Sequence, residues 1–576
     1  MKFSQLEKNC KKPVDALQNQ YKLAVLGNCS TQHLAMAVKG YAYEENIALE
    51  VYDADYNQID AQIMDEQSEL YAFEADFTLL YLCTEKLYEE FCKLSSQMRK
   101  NFAICMIQRL ENYWDSINRH YSTSVLQFNF VQDDDRVFGN FGNKTEESFL
   151  FQIRKLNYLL MEKCNCHKNV FVIDIDCLTH IYGMDAVRDD RMYYLAKMPL
   201  SMKILPNIAK QVIDTIKAVK GKIKKCIVLD LDNTLWGGVI GDDGLENIQI
   251  GELGAGHAFS DFQLWLKELK KRGIILAVCS KNDAETAKEP FLKHPEMVLR
   301  IDDISMFVAN WDDKSSNILR IQRALNIGMD SIVFLDDNPF ERNLVRSLIP
   351  DITVPNLPED PALYLKYMKS LNLFETASYS DADKARTRQY QEEAGRFELQ
   401  QQYESYSDYL KDLKMIAEAK PFDKFHFSRI AQLTQRSNQF NLRTIRYTEQ
   451  EIEQLSFDEN YLTRYFTLKD KFGDYGLISV VIMEKQDLDT LFISEWLMSC
   501  RVLKRGMEEF VMDEIINTAR ENGFHKVAGE YIRTPKNNMV SDLYQRMGLH
   551  DTGGGKYEVN VEAYIEHNTF IRKQNL

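Results

Sequence analysis

No stretch of this 576-residue chain approaches the roughly 20 consecutive apolar residues of a membrane span. The N-terminus, MKFSQLEKNCKKPVDALQNQ, lacks the apolar core of a secretory signal. There is no excess of positive charge: the net charge of -16 argues against a general nucleic-acid binder, which needs clustered Lys and Arg. Internal repeats and low-complexity segments are absent. Cysteine is not scarce, but no second pair at metal-finger spacing follows Cys164-Asn165-Cys166-His167, so that cluster reads as surface thiols rather than half a metal site. Cys83, Cys226 and Cys279 lie inside apolar runs, as reduced thiols of a cytoplasmic protein do. What is present is 45% hydrophobic and 11% aromatic residues, a globular composition. The chain is too long for one core, and about two to four domains are expected.

Residues 1–220 alternate strand-like runs (Lys22–Leu26, Phe77–Cys83, Val170–Ile175) with helical periodicity, as over Glu146–Glu162, which predicts a parallel sheet covered by helices. A second α/β unit spans 221–375. The polar stretch over 376–413, with Gly395 its one glycine and no proline, reads as a connecting helix rather than a loose linker. A last unit covers 414–576.

The second unit carries the chemistry. Ile227-Val228-Leu229 reads as a buried strand that ends in Asp230 and Asp232, followed by Asn233 and Thr234. Two acids at a strand end either cap a turn or serve a cation or a reaction, since burying them otherwise is costly. Three further polar ends favour the second alternative. Gly273–Cys279 ends at Ser280-Lys281-Asn282-Asp283, Ser331–Leu335 ends at Asp336-Asp337-Asn338, and Asn310-Trp311-Asp312-Asp313-Lys314 precedes a helix. In a parallel sheet these ends converge on one crevice. The chemistry assigns itself: Asp230 as nucleophile forming an aspartyl-phosphate, and Asp232 as acid and base toward leaving group and acceptor. Ser280 and the amide of Lys281 bind phosphoryl oxygens, and Lys314 offsets the charge. Asp230, Asp232 and Asp337 hold Mg²⁺, with Asp336 behind them.

This order resembles the haloacid dehalogenase superfamily: DLDNT supplies its first motif, Ser280 the second, Lys314 the third and Asp336-Asp337 the fourth. VLDLDNTLWGGVIGDDG, CSKND, NWDDK and FLDDNPFER are closer still to its FkbH-like branch (subfamily IIIC), over residues 224–345. The resemblance implies Mg²⁺-dependent aspartate phosphotransfer. It further implies a phosphorylated three-carbon acyl donor, bisphosphoglycerate, whose glyceryl unit is loaded onto an acyl carrier protein. Independently of that, the stretch from Asp230 to Ser280 holds little more than one strand-helix crossover, which takes about 30 residues. The glycine-rich remainder, 236–256, allows a flap but no lid domain. Such a site is open to a large, partner-borne substrate, and the flanking domains are the candidates to cover it.

From residue 471 the expected order is β-β-α-β-α: strands Tyr475–Met483 and Thr490–Leu497, a helix opening at Met498-Ser499-Cys500 and running to about Asn522, a strand His525–Tyr531 and a helix Asn538–Met547. This is similar to the GCN5-related N-acetyltransferase (GNAT) fold. There a Q/R-x-x-G-x-G/A turn binds the pyrophosphate of acyl-CoA. Arg501 and Gly506 match its ends, while Lys504 replaces the first glycine; the basic Lys504-Arg505 turn still suits a phosphopantetheine arm. A plain helix start is the other reading of Arg501–Gly506. Cys279 and Cys500, each beside a candidate site residue, are either acyl-carrying thiols or small buried strand residues.

Lys22–Leu26 followed by Gly27-Asn28-Cys29-Ser30 looks like the first block of SGNH-type esterases, with Asn28 in place of the acid. The late Asp-x-x-His is missing, Asp190-Arg191-Met192-Tyr193 standing in its place. A hydroxyl or thiol without a base is a weak nucleophile. The first unit therefore reads as a non-catalytic binding or covering domain. Three functions stay open: phosphatase or phosphotransferase, a scaffold that docks a carrier protein, and an acyltransferase run by the last unit.

Overall fold

Unbroken aliphatic runs predict strands buried on both faces, and the computed structural model builds two parallel sheets from them. It describes residues 1–13, 17, 19–379, 386–400, 402–437 and 439–574. Two units emerge: Met1–Ile223 with Phe374–Ser378, and Lys224–Leu373 with Tyr379–Leu576.

In the first unit β1 (Asn19–Gly27), β2 (Ile47–Asp53), β3 (Phe77–Tyr81), β4 (Ser124–Phe128) and β5 (Val170–Ile173) lie in the order β2-β1-β3-β4-β5, all parallel. The pleat of β1 feeds two cores. Leu23 and Val25 enter one with the helices Gln32–Glu44 and Leu205–Val219; Ala24 and Leu26 enter the other with Phe102–His120 and Phe149–Cys166.

The second unit holds two sheets. In the first, β6 (Cys226–Leu229), β7 (Ile275–Ser280), β8 (Met306–Ala309) and β9 (Ile332–Leu335) form a parallel sheet in the order β8-β7-β6-β9. All of β6 is fully buried. The chain steps outward from β6 to β8 and returns to the far side of β6 as β9. That reversal opens a crevice beyond the carboxyl end of β6.

The other sheet is mixed and has eight strands among the described residues. Its strands are β10 (Ile416–Lys420), β11 (Tyr461–Lys469), β12 (Asp474–Lys485), β13 (Thr490–Met498), β14 (Lys526–Glu530), β15 (His550–Gly553), β16 (Lys556–Asn560) and β17 (Arg572–Lys573). Only β13·β14 and β10·β17 pair in parallel. The expected helix from Met498 begins instead at Met507 and runs to Glu521, because Gly506 takes a left-handed conformation (φ 83°) and breaks the turn before it. The expected helix Asn538–Met547 is split into a 3-10 turn, Asn538–Val540, and one helical turn, Leu543–Arg546.

The connecting stretch is helical over Arg386–Gln400 and again over Tyr406–Asp412. The first of these helices is a bridge. Tyr390, Ala394 and Phe397 pack on the core of the four-stranded sheet, while Arg396 reaches Asp470 beside the eight-stranded one with two bonds of 2.7 and 2.8 Å. Among the described residues no helix is long and apolar enough to cross a membrane.

Candidate active site

Asp230 extends the ladder of β6 by one residue, its N–H donating to the Leu335 carbonyl at 2.9 Å. Its buried carboxylate therefore sits at the reversal of strand order. Lys314 opens the helix Lys314–Leu325, whose N-cap, Asp313, accepts from the Ser316 N–H at 2.8 Å. That cap fixes the start of the helix and aims Lys314 inward. Its Nζ is 2.8 Å from Asp230 Oδ2 and 2.5 Å from Asp336 Oδ2, and the side chain is 3% exposed. Burial alone would lower the lysine pKa, but the two carboxylates outweigh it and hold the ammonium above its ordinary value. Burial, and then the charge of Asp230, push Asp336 up to about 6 against the pull of Lys314. Asp337 is raised by the same two causes.

Carboxylate oxygens of Asp230, Asp336 and Asp337 all lie within 4.8 Å of one another. Three carboxylates so close, offering oxygen only, fit a hard divalent cation such as Mg²⁺. Arg342 locks the loop behind them, Nη1 donating to the carbonyls of Asp336 (2.7 Å) and Asp337 (2.6 Å). The Asp337 N–H donates to the Thr234 hydroxyl at 3.1 Å, tying the loop after β9 to the one after β6.

The carboxylates group differently from the expected metal set. The carboxylate of Asp232 stands outside the cluster, because its oxygens are taken by Trp236 Nε1 (3.0 Å), the Ile240 N–H (3.0 Å) and Asn282 Nδ2 (2.8 Å). Asp336, expected behind the ligands, stands with them, although Lys314 and the Asn338 N–H (2.8 Å) each hold one of its oxygens. Ser280 ends β7, 2% exposed, with Oγ 3.4 Å from Asn282 Nδ2. The side chain of Lys281 turns to Glu341 at 2.7 Å. The stretch after Leu235 folds back on itself through Gly237 and Gln249 (3.0 and 2.8 Å) and the short helix Ile240–Asp243. It is a packed flap, with Trp236 fully buried. Asn282, Trp236 and Arg342 were not singled out from the sequence; for Asn282 the only signal was its place two residues past Ser280.

A family model described as the FkbH N-terminal domain matches residues 22–217. The N-terminal part of protein BF1531 from Bacteroides fragilis, containing a phosphatase domain and solved in complex with Mg, is 46% identical; the match covers 66% of this chain and 100% of that one, with a TM-score of 0.63. The chain belongs to the FkbH-like family. Solved acetyltransferases align far more weakly with this FkbH-like chain. The ribosomal-protein-S18-alanine N-acetyltransferase of Escherichia coli shares 14% identity over 25% of this chain and 94% of its own, with a TM-score of 0.20. No curated protein matches.

The remaining candidates of the FkbH-like chain lie elsewhere or are engaged. Cys279 is fully buried, its Sγ 3.7 Å from the Lys314 carbonyl, and burial pushes the thiol well up. Arg501 donates to Gln389 on the bridging helix at 2.7 Å. Arg505 is tied to Glu393 of that helix at 2.9 Å and to the Tyr475 hydroxyl. Gly506 is the left-handed N-cap of the helix Met507–Glu521, and the preceding Lys504 N–H donates to Glu508 at 3.0 Å. The side chain of Cys500 lies outside the described residues. In the first unit Asn28 accepts from the Cys83 N–H at 2.8 Å, and Ser30 Oγ contacts Gln32 at 3.1 Å.

Proposed function

We propose that the four-stranded domain is a Mg²⁺-dependent phosphatase or phosphotransferase that works through an aspartyl-phosphate. The observation that carries this is Lys314 held between Asp230 and Asp336, beside a triad of carboxylate oxygens at a strand end. With Lys314 on Oδ2, Asp230 keeps Oδ1 to attack phosphorus. The bond from phosphorus to the leaving oxygen breaks, and Asp232 delivers a proton to that oxygen. An incoming hydroxyl then attacks the aspartyl-phosphate, gives its proton to Asp232 and restores the Asp230 carboxylate. Ser280 and the Lys281 amide hold phosphoryl oxygens, and Lys314 offsets their charge. Asp230, Asp336 and Asp337 would hold Mg²⁺, which would supply further positive charge toward the phosphate. The Mg bound by the Bacteroides relative supports this assignment.

The finer reading is that the substrate is a phosphorylated three-carbon acid whose glyceryl unit passes to the thiol of an acyl carrier protein. A site without a lid domain between its motifs supports a partner-borne acceptor. Arg501, Arg505, Gly506 and Cys500 then belong to the arm-binding side. The test is to incubate the full chain with Mg²⁺, a panel of phosphorylated three-carbon acids and carrier proteins, and weigh the products. Asp230→Asn abolishes phosphate release with the fold unchanged. Phosphate without acylated carrier reduces the activity to a phosphatase, and no phosphate from the unmodified protein overturns the proposal.

A further inference from the structure

Asp232 is gripped from two loops. Trp236, on the loop after β6, and the Ile240 N–H both bond Oδ1, while Asn282, on the loop after β7, bonds Oδ2. A carboxylate held by one oxygen still turns about its last torsion, which is soft; donors on both oxygens from separate elements stop that rotation. Both side-chain donors are themselves buried. Trp236 is fully buried and packs edge-on to Phe291, ring centroids 5.9 Å apart. Asn282 is 5% exposed, and its Nδ2 also lies 3.4 Å from Ser280 Oγ. One amide thus spans the acid and a hydroxyl that would hold phosphoryl oxygen.

We infer that Asn282 and Trp236 are positioning residues that fix the carboxylate of Asp232 for proton transfer to the leaving oxygen. The inference rests on the phosphotransfer reading above. It differs from a mere loop-packing role in one measurable way. An alkoxide leaving group is strongly basic and departs only as it takes a proton, whereas 4-nitrophenolate departs without one. A residue that acts through Asp232 therefore matters for alkyl phosphates and little for the aryl ester. A residue that only packs the loop matters equally for both.

The experiment measures kcat/KM of the full chain with Mg²⁺ on 3-phosphoglycerate and on 4-nitrophenyl phosphate. Asn282→Ala lowers turnover of the alkyl ester about 100-fold, the lower end of what a positioned proton donor contributes, and leaves the aryl ester within about threefold. Trp236→Phe keeps a ring in the buried place, removes Nε1 and shifts the same ratio, which preserves the test should Asn282→Ala fold poorly. Asp232→Asn lowers turnover of the alkyl ester at least as far, and in that background Asn282→Ala costs nothing further on it. Equal losses on both esters, or full additivity with Asp232→Asn, overturn the inference. No turnover of either ester by the unmodified protein overturns the phosphotransfer reading instead.

Discussion

Lys314 Nζ lies 2.8 Å from Asp230 and 2.5 Å from Asp336, so two buried carboxylates share one ammonium. Removing it leaves two buried acids uncompensated, and breaking a buried pair in this way costs about 3–5 kcal/mol. Lys314→Met is expected to lower the denaturation midpoint and abolish phosphate release. Lys314→Met with Asp336→Asn recovers much of the midpoint without restoring activity, because the buried charge has been removed while the charge offset at phosphorus has not. Paired urea titrations and phosphate assays check both outcomes. An active Lys314→Met protein would remove Lys314 from the site.

Glu495, fully buried on β13, accepts from the Ile445 N–H (2.8 Å) and from the Trp496 N–H (3.1 Å). Burial outweighs these bonds and Arg443 and raises its pKa from 4.5 to about 7. The folded state thus binds the proton more tightly than the unfolded one. Stability is fully retained below the unfolded pKa and falls as the pH rises from about 4.5 to about 7, by about 3 kcal/mol in all. Glu495→Gln stays neutral and flattens this slope. The check is the denaturation midpoint of both proteins at pH 5 and 7.5; parallel slopes would mean that Glu495 is ionised throughout.

The strands that carry the site were legible because parallel strands covered on both faces leave unbroken aliphatic runs, as in Cys226–Leu229, and because each run ends in the polar residues that face the crevice. Asp230, Ser280 and Asp336-Asp337 were placed this way, and Lys314 by the polar stretch that precedes its helix. The exchange of Asp232 for Asp336 in the carboxylate cluster was not legible. Residues two apart on an extended strand share a face, but Asn233 turns left-handed (φ 54°) and Trp236 and Asn282 draw the Asp232 carboxylate aside. Those contacts come from other loops and leave no local pattern. The outer strands β15 and β17 escaped for a related reason: they are short and exposed throughout, while β16 turns Tyr557 and Val559 inward over only five residues.

Cys279 and Cys226 are fully buried, and burial pushes both thiols up, whereas Cys92, Cys105 and Cys166 are exposed. Iodoacetamide on the native protein is expected to label the exposed three and to reach Cys279 only after unfolding. Cys279→Ala leaves phosphate release within about threefold, as for a small buried hydrophobe. Peptide mapping by mass spectrometry reads the first outcome. Rapid native labelling of Cys279 would restore it as a candidate acyl carrier.

The bridging helix makes a prediction about how the two sheets of the second unit melt. Arg396 is 1% exposed, grips both oxygens of Asp470 and also pairs with Glu393 at 3.2 Å, while Glu393 in turn holds Arg505. A bidentate pair this deep is strong only while both partners are present. Arg396→Met leaves the buried Asp470 carboxylate with only the longer pair to Arg505 at 3.9 Å and should cost up to about 3–5 kcal/mol. The loss falls on the contact between the sheets, since Tyr390, Ala394 and Phe397 can still pack on the four-stranded core. Calorimetry is expected to show one transition for the second unit of the unmodified protein and two for Arg396→Met, with the four-stranded domain melting near the original temperature. Asp470→Asn in the same chain removes the stranded charge and brings the transitions back together. A uniform drop in one transition would mean that the helix belongs to both cores alike and is not a joint between them.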